Sequence, residues 1–367
     1  MRAVAPPSLD PVFCRGRQSR LRRMLGELSL NGAVFFNRHY IYALSGYWHE
    51  QPLTPTALWV PAEGEITLVN HSEEADVDAV NKIVGYVPNK LFTLKENLAG
   101  EVASALLPHL PKTVPIGTDN ETPAAMLERI DCRDISAPWQ RLRRRKDPDE
   151  VAALEFTIDC AERAYEVARQ MVEPGIPETE IMAAMLEEAT FSAGEFLSGW
   201  GQDFRAGVPG GFARRQEILG GELIPLDIGV GVRGYRSDLC RTFAIGGQPS
   251  EEQAAAHAHI LEVMTFGESM MRPGQSCAEF HTEIHARLDG WNGYAFIHHA
   301  GHGIGLDAHE VPRLNSHWDD TLEVGDVLAF EPGLYHESLR GGIRLENNYL
   351  ITEEGFRQLS HYPLGLV

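Results

Sequence analysis

Four acids and one histidine in the second half of the chain stand where such residues are normally costly. Asp227 and Asp238 lie in apolar surroundings, in Leu226-Asp227-Ile228-Gly229 and Ser237-Asp238-Leu239. His302 sits between glycines in Gly301-His302-Gly303-Ile304-Gly305. Glu331 ends the apolar run Val327-Leu328-Ala329-Phe330, and Glu346 is embedded in Ile343-Arg344-Leu345-Glu346-Asn347. A carboxylate within a strand is unfavourable unless something compensates it. Leu226 to Asp238 reads as a hairpin, two apolar-flanked strands joined by a Gly-containing turn. With the turn centred near Val232-Arg233, Asp227 and Asp238 fall opposite one another, their Cβ atoms about 5 Å apart. Two bare carboxylates that close repel and raise one pKa, and a cation between them removes the conflict. One imidazole with four carboxylates is a hard-oxygen set, suited to Mn²⁺ first and also to Co²⁺, Zn²⁺ or Fe²⁺. Four carboxylates exceed the need of one ion, whereas two divalent ions sharing bridging carboxylates would use them all. Any one of these acids alone is more often a turn or surface residue. Their joint occurrence in four Gly-rich, apolar-flanked segments is what points to a metal centre.

The elements that must position them are legible as patterns. Strands rich in Gly, Asp and Glu are expected over 223–230, 237–245, 327–330 and 343–352. A helical pair at about 251–271 and 277–289 interrupts them, which makes an α+β arrangement of antiparallel sheet covered by helices. A long helix from about Asp149 to Val172 precedes them. Asp147-Pro148 opens it, Pro174-Gly175 ends it, and a second helix covers roughly 177–193. The first third alternates strand-like runs (32–36, 56–60 and 65–69, the last two joined by a turn at 62–64) with helical spacing around 14–29 and 97–109. That is a smaller α/β unit, without a chemical motif. The charge run Arg141-Leu142-Arg143-Arg144-Arg145-Lys146 marks the boundary, giving domains 1–145 and 146–367. In a chain this acidic the run reads as a solvated linker rather than a nucleic-acid patch.

Composition bounds the rest. The 367 residues are 43% hydrophobic and 23% charged, a soluble globular balance. The formal charge of −20 argues against nucleic acid and anionic membrane surfaces as partners. The cysteines at 14, 132, 160, 240 and 277 are odd in number and scattered, so reduced thiols are expected. Cys240, close to the acids, reads as a small buried hydrophobe. Met1 to Arg23 carries no apolar run and no stretch has the length of a membrane span, so a cytoplasmic location is expected.

The order and wording of Leu-Asp-Ile-Gly, Ser-Asp-Leu-x-Arg-Thr-Phe, Gly-His-Gly-Ile-Gly-Leu-Asp-x-His-Glu, Glu-Pro-Gly-Leu-Tyr and Ile-Arg-Leu-Glu-Asn resemble the creatinase/prolidase/methionine aminopeptidase superfamily. Within it they are most similar to the Xaa-Pro peptidase branch, prolidases and aminopeptidases P. The resemblance covers roughly 150–367, and the first third looks like the creatinase-type N-terminal domain of that branch. It implies the pseudo-two-fold pita-bread fold and a homodimer in which Ser45-Gly46-Tyr47-Trp48-His49 reaches the partner's pocket. Carried over, Asp227 would chelate one ion, Asp238 and Glu346 would bridge both, and His302 and Glu331 would complete the second site. A water acidified by both ions would be the nucleophile, with Glu331 handling its proton. His298 and His309 match histidines that steady the substrate carbonyl and the tetrahedral intermediate. Arg344 matches an arginine supporting the bridging carboxylates, and His299 reads as a bystander beside His298.

One departure stands out. The peptidases carry a further histidine in a Pro-His stretch before the first metal aspartate, and the matching position here is Gly210. Arg214 and Arg215 nearby are either surface arginines or binders of a substrate carboxylate. The leading expectation is therefore a metal-dependent hydrolase of a C–N bond, with small Xaa-Pro peptides as substrate. A hydrolase or lyase of a small non-peptide metabolite is the alternative, because of Gly210. A peptide- or protein-binding module without catalysis ranks last, since such members lose metal ligands and all five are present.

Overall fold

The apolar runs of the first third become neighbouring strands. The computed structural model describes residues 5–50, 54–71, 77–87, 97–123, 126 and 128–367. Among these, a six-stranded sheet runs in the order Lys82–Gly85, Thr67–Asn70, Ala57–Pro61, Gly32–Phe35, Ile116–Thr118 and Cys132–Asp134. The helices Pro11–Glu27, Arg38–Ser45, Leu98–Leu106 and Ser136–Leu142 belong to the same unit, Ser8–Arg143. In the loop Ser45–His49, the Tyr47 hydroxyl accepts from Asn70 and His49 bonds Thr54, both within that unit.

Arg144–Val367 forms the second unit. Its first helix, Pro148–Met171, begins as expected: the Asp147 N–H donates to the Glu150 carboxylate at 2.8 Å, and Pro148 needs no donor there. Val151, Leu154, Ile158 and Tyr165 lie on its buried side. The Tyr165 hydroxyl lies 2.9 Å from the Leu226 carbonyl and 2.5 Å from that of Leu239. It therefore ties the helix to both strands of the hairpin Leu223–Ile228/Leu239–Ala244. Helices Glu178–Ala193, Glu251–Met270 and Cys277–Leu288 follow in chain order. A five-stranded antiparallel sheet holds Glu310–Leu314, Gly301–Gly303, Val327–Phe330, Asn347–Thr352 and Gly355–Gln358, in that order. Phe280, Phe330, Ile343 and Tyr349 belong to its buried core. No described helix is long and apolar enough to cross a membrane.

Two expectations need correction. The run 343–352 is not one strand. Gly341–Arg344 pairs with Gly333–His336, whereas Asn347–Thr352 pairs with Val327–Phe330 in the larger sheet. At the crossing, Leu345 N donates to the Pro332 carbonyl and Glu346 N to that of Cys240, so neither continues a ladder. Nor is the basic run a solvated linker. Arg144 and Lys146 are only 4% and 7% exposed, because each meets a buried carboxylate. Arg144 makes a two-pronged bond to Asp326 (2.7 and 2.8 Å), and Lys146 pairs with Glu310 at 2.8 Å.

Candidate functional site

The hairpin turns one residue later than expected. Arg233 and Gly234 both have left-handed backbone (φ 49° and 92°), the two-residue turn that suits the natural twist of a hairpin. Val232 therefore faces Tyr235, and Asp227 faces Cys240 rather than Asp238. Asp238 lies two residues before Cys240, one diagonal step from Asp227 on the same face. Asn348 holds the Asp238 backbone from both sides: its amide donates to the Asp238 carbonyl at 2.5 Å, and its oxygen accepts the Asp238 N–H at 3.2 Å.

His302 occupies the middle of Gly301–Gly303, between two other strands. The flanking glycines are required by close approach: a Cβ on Gly301 would stand 2.1 Å from the Ala329 carbonyl oxygen, and one on Gly303 would stand 2.4 Å from that of Val311. His302 Nδ1 donates to the Gly303 carbonyl at 3.0 Å, which leaves the Nε2 lone pair facing inward. Nε2 lies 3.6 Å from Asp238 Oδ2 and 3.6 Å from Glu331 Oε1. Glu331 follows its strand directly, and Glu346 sits at the crossing between the two sheets, 1% exposed. One ligand atom from each of Asp238, His302 and Glu346 falls within 4.8 Å of the others. The five expected residues line one cavity of about 270 Å³, together with Asp203, Trp200, His298, His299, His309, Arg236 and Arg344.

Electrostatics shows what the cavity lacks. Burial pushes Asp227 up to about 6, against the pull of Arg344 and with Glu331 and Asp203 adding to the rise. Burial and the neighbouring carboxylates raise Asp238 and Glu346 well above the usual carboxylate range. Burial also acts on Glu331, but the hydrogen bond from His299 and the other imidazoles outweigh it and hold it low. His302 is lowered by burial to about 4, so it is neutral at pH 7, as a ligand must be. Glu346 Oε2 is buried and has no hydrogen-bond partner. Crowded carboxylates, an inward imidazole lone pair and an orphaned oxygen together fit a divalent cation.

Several side chains around the acids were not legible. His299 is no bystander: its Nε2 lies 2.8 Å from Glu331 Oε1. His298 Nδ1 lies 2.8 Å from the His299 carbonyl and must carry the proton there, so Nε2 accepts the Tyr335 hydroxyl at 2.7 Å. Tyr335 also accepts from Arg344 at 3.3 Å. Arg344 donates to Asp227 at 2.7 Å and contacts Asp203. His309 stacks on His302 with ring centres 3.7 Å apart. Glu310 accepts from Leu306 N (2.8 Å) and Asp307 N (3.1 Å), which fixes the loop that carries His309. The Arg214 guanidinium pairs with the buried Glu178. Cys240 is a buried hydrophobe, as expected.

Residues 153–353 match the model of metallopeptidase family M24. The chain belongs to that family. It is thus a metal-dependent hydrolase, on the pita-bread fold with an α/β unit ahead of it. Relatives of the M24 chain include the uncharacterized peptidase YqhT of Bacillus subtilis, 27% identical over 95% of this chain and 98% of that one. The Xaa-Pro dipeptidase of Pyrococcus furiosus is 31% identical over 59% of this chain and 62% of its own length. Among solved structures, the Xaa-Pro dipeptidase from Bacillus anthracis superposes with a TM-score of 0.80 at 24% identity, covering 96% of this chain and 99% of that one. The prolidase from Pyrococcus horikoshii gives 0.77 at 22% identity, over 96% and 100%.

The raised carboxyls of the M24 site have a consequence for stability. A group whose folded pKa exceeds its unfolded value stabilises the fold while protonated, and that stability is lost as pH rises through the folded pKa. For Asp227 the interval runs from its ordinary value of 3.8 to about 6, and Asp238 and Glu346 act in the same sense. Glu331 acts oppositely, but only below its ordinary value of 4.5. Chelated protein should therefore lose about 1–3 kcal/mol between roughly pH 4.5 and pH 6, and saturating divalent cation should abolish the slope. Thermal denaturation of chelated and loaded protein measures this. A flat chelated profile would remove the argument.

Proposed function

We propose that this chain hydrolyses the C–N bond of short Xaa-Pro peptides, using two divalent cations, manganese foremost, held by Asp227, Asp238, His302, Glu331 and Glu346. The convergence of Asp238, His302 and Glu346 on one point, with Glu346 Oε2 unpartnered, carries this reading. Membership of family M24 and likeness to Xaa-Pro dipeptidases support it. When bound, the ions supply Lewis acidity, polarising the scissile carbonyl and lowering the pKa of a water. Glu331, kept ionised by His299, takes that water's proton. Arg344 steadies Asp227, and the His299 carbonyl fixes the tautomer of His298, whose Nε2 accepts from Tyr335. With both His298 nitrogens engaged, His309 is the imidazole that meets the carbonyl oxygen as charge develops.

Gly210 favours a second reading, a hydrolase or lyase of a small non-peptide metabolite. A hydrolysis screen with Mn²⁺-, Co²⁺- and Zn²⁺-loaded protein separates them, with Xaa-Pro dipeptides set against small amides and guanidino compounds. Release of proline, abolished by chelation, is the expected result. Turnover of small amides alone would transfer the function to the second reading, and no turnover of either would favour a binding module. Restoring an imidazole with Gly210→His is expected to lower the native rate by about ten- to a hundredfold. The backbone at Gly210 is not left-handed, but a Cβ there would stand 2.4 Å from Asp203 Oδ2. An increased rate would show that the pocket accepts the histidine.

A further inference from the structure

Near Gly210 the cavity is lined by an acceptor, Asp203, rather than by a donor. Where the resemblance leads one to expect an imidazole N–H, Gly210 offers no side chain and the Asp203 carboxylate fills the space. Asp203 is held there from three sides. Its backbone forms an antiparallel bridge with Asp227, so the two side chains share a face. Gly211 N donates to its Oδ1 at 2.8 Å. Arg344 contacts its Oδ2 while donating to Asp227. Asp203 is nevertheless not covered: its side chain keeps 14% exposure and lines the cavity beside Trp200. A carboxylate has about four lone-pair sites, so both oxygens keep capacity for another donor. An acceptor beside an aromatic wall favours a cationic nitrogen over any neutral group.

We propose that Asp203 is a specificity-determining residue that receives a protonated nitrogen of the substrate, an ammonium, amidinium or guanidinium close to the C–N bond that is cut. This rests on the metallohydrolase reading but not on proline. Alaninamide and N-acetylalaninamide, titrated calorimetrically into metal-loaded protein with ammonia release monitored, report recognition where no ammonia is released. Ala-Pro and N-acetyl-Ala-Pro report it with turnover.

The wild-type protein should prefer each free amine by roughly tenfold or more. Asp203→Asn should erase most of that preference, through KM more than kcat, with metal content unchanged. Gly210→Ala retains every charge but brings a Cβ to 2.4 Å from Asp203 Oδ2, so it should weaken the same preference and serves if Asp203→Asn folds poorly. Equal weakening of amine and acetylated ligands would mean that Asp203 merely holds Arg344, and would overturn the proposal. An undiminished preference in both variants would do the same. Should the wild type cut no Xaa-Pro peptide yet prefer 3-guanidinopropionate to N-acetyl-β-alanine in an Asp203-dependent way, the proline reading falls and this one stands.

Discussion

Glu346→Ala protein, purified and reloaded with Mn²⁺, should contain neither ion and should lose roughly 10³-fold or more in kcat/KM, beyond the 10- to 100-fold typical of groups that only orient a ligand. The reason is its position. Glu346 is buried at the crossing between two sheets, its N–H fixed on the Cys240 carbonyl and its own carbonyl taken by Arg241 at 2.5 Å. The carboxylate is thereby pinned in the cavity, with Oε2 lacking any partner from the protein. A bridging role predicts that its removal dissolves both sites together, and Asp238→Ala should behave alike. Asp227→Ala should instead leave one ion, because Asp227 is assigned to a single metal and Arg344 remains beside it. Elemental analysis with circular dichroism as a control for folding decides the matter. Two ions retained by Glu346→Ala would end the bridging assignment.

Arg144→Ala should destabilise the second unit by about 3–5 kcal/mol, the range seen when one member of a buried ion pair is removed. Asp326 is 0% exposed and is bonded twice by Arg144. Arg144 also reaches the Thr321 carbonyl (2.6 Å), Asp320 (3.0 Å) and Glu323 (3.1 Å). Truncation strands the Asp326 charge in a place that already disfavours it, since burial raises its pKa against the pull of Arg144. Removing both charges in Arg144→Met/Asp326→Asn should recover a large part of the loss. The recovery is incomplete because the Thr321 carbonyl, which Arg144 also serves at 2.6 Å, loses its donor to Met. Urea denaturation followed by tryptophan fluorescence reads each step. A single-variant loss below about 1 kcal/mol, the scale of an exposed pair, would show that water reaches Asp326.

The metal-site residues were readable because each is anomalous within its own segment. An acid between Leu226 and Ile228, or a histidine flanked by glycines, carries its peculiarity along the chain. The glycines beside His302 are forced by neighbouring strand oxygens, so the local pattern records a tertiary contact. Asp203 had no such mark. Its meaning comes from a bridge to Asp227 and a contact with Arg344, partners far along the chain. Tyr335 stood inside a recognised motif, yet its bond to His298 depends on an isolated bridge that joins Tyr335 to Ala295. Arg144 and Lys146 looked like a linker because their charges were visible while their buried partners Asp326 and Glu310 were not. The break at Leu345-Glu346 was hidden for a similar reason: both sides of it are good strand sequence, and only the pairing partners differ.

The displaced turn at Arg233-Gly234 shows that the hairpin is governed by parity. Moving the tip by one residue changed the facing pair from Asp227 with Asp238 to Asp227 with Cys240, a slip of two along one strand. An even slip returns every side chain to its own face, whereas an odd slip turns each to the other. The two aspartates therefore share a surface under either register. Their common orientation is a property of odd and even positions, indifferent to which residue each one faces. Such a hairpin can lengthen or shorten at its tip in pairs of residues while its acids keep pointing the same way, but a single residue inserted within one strand, with no bulge to absorb it, would turn one of them outward.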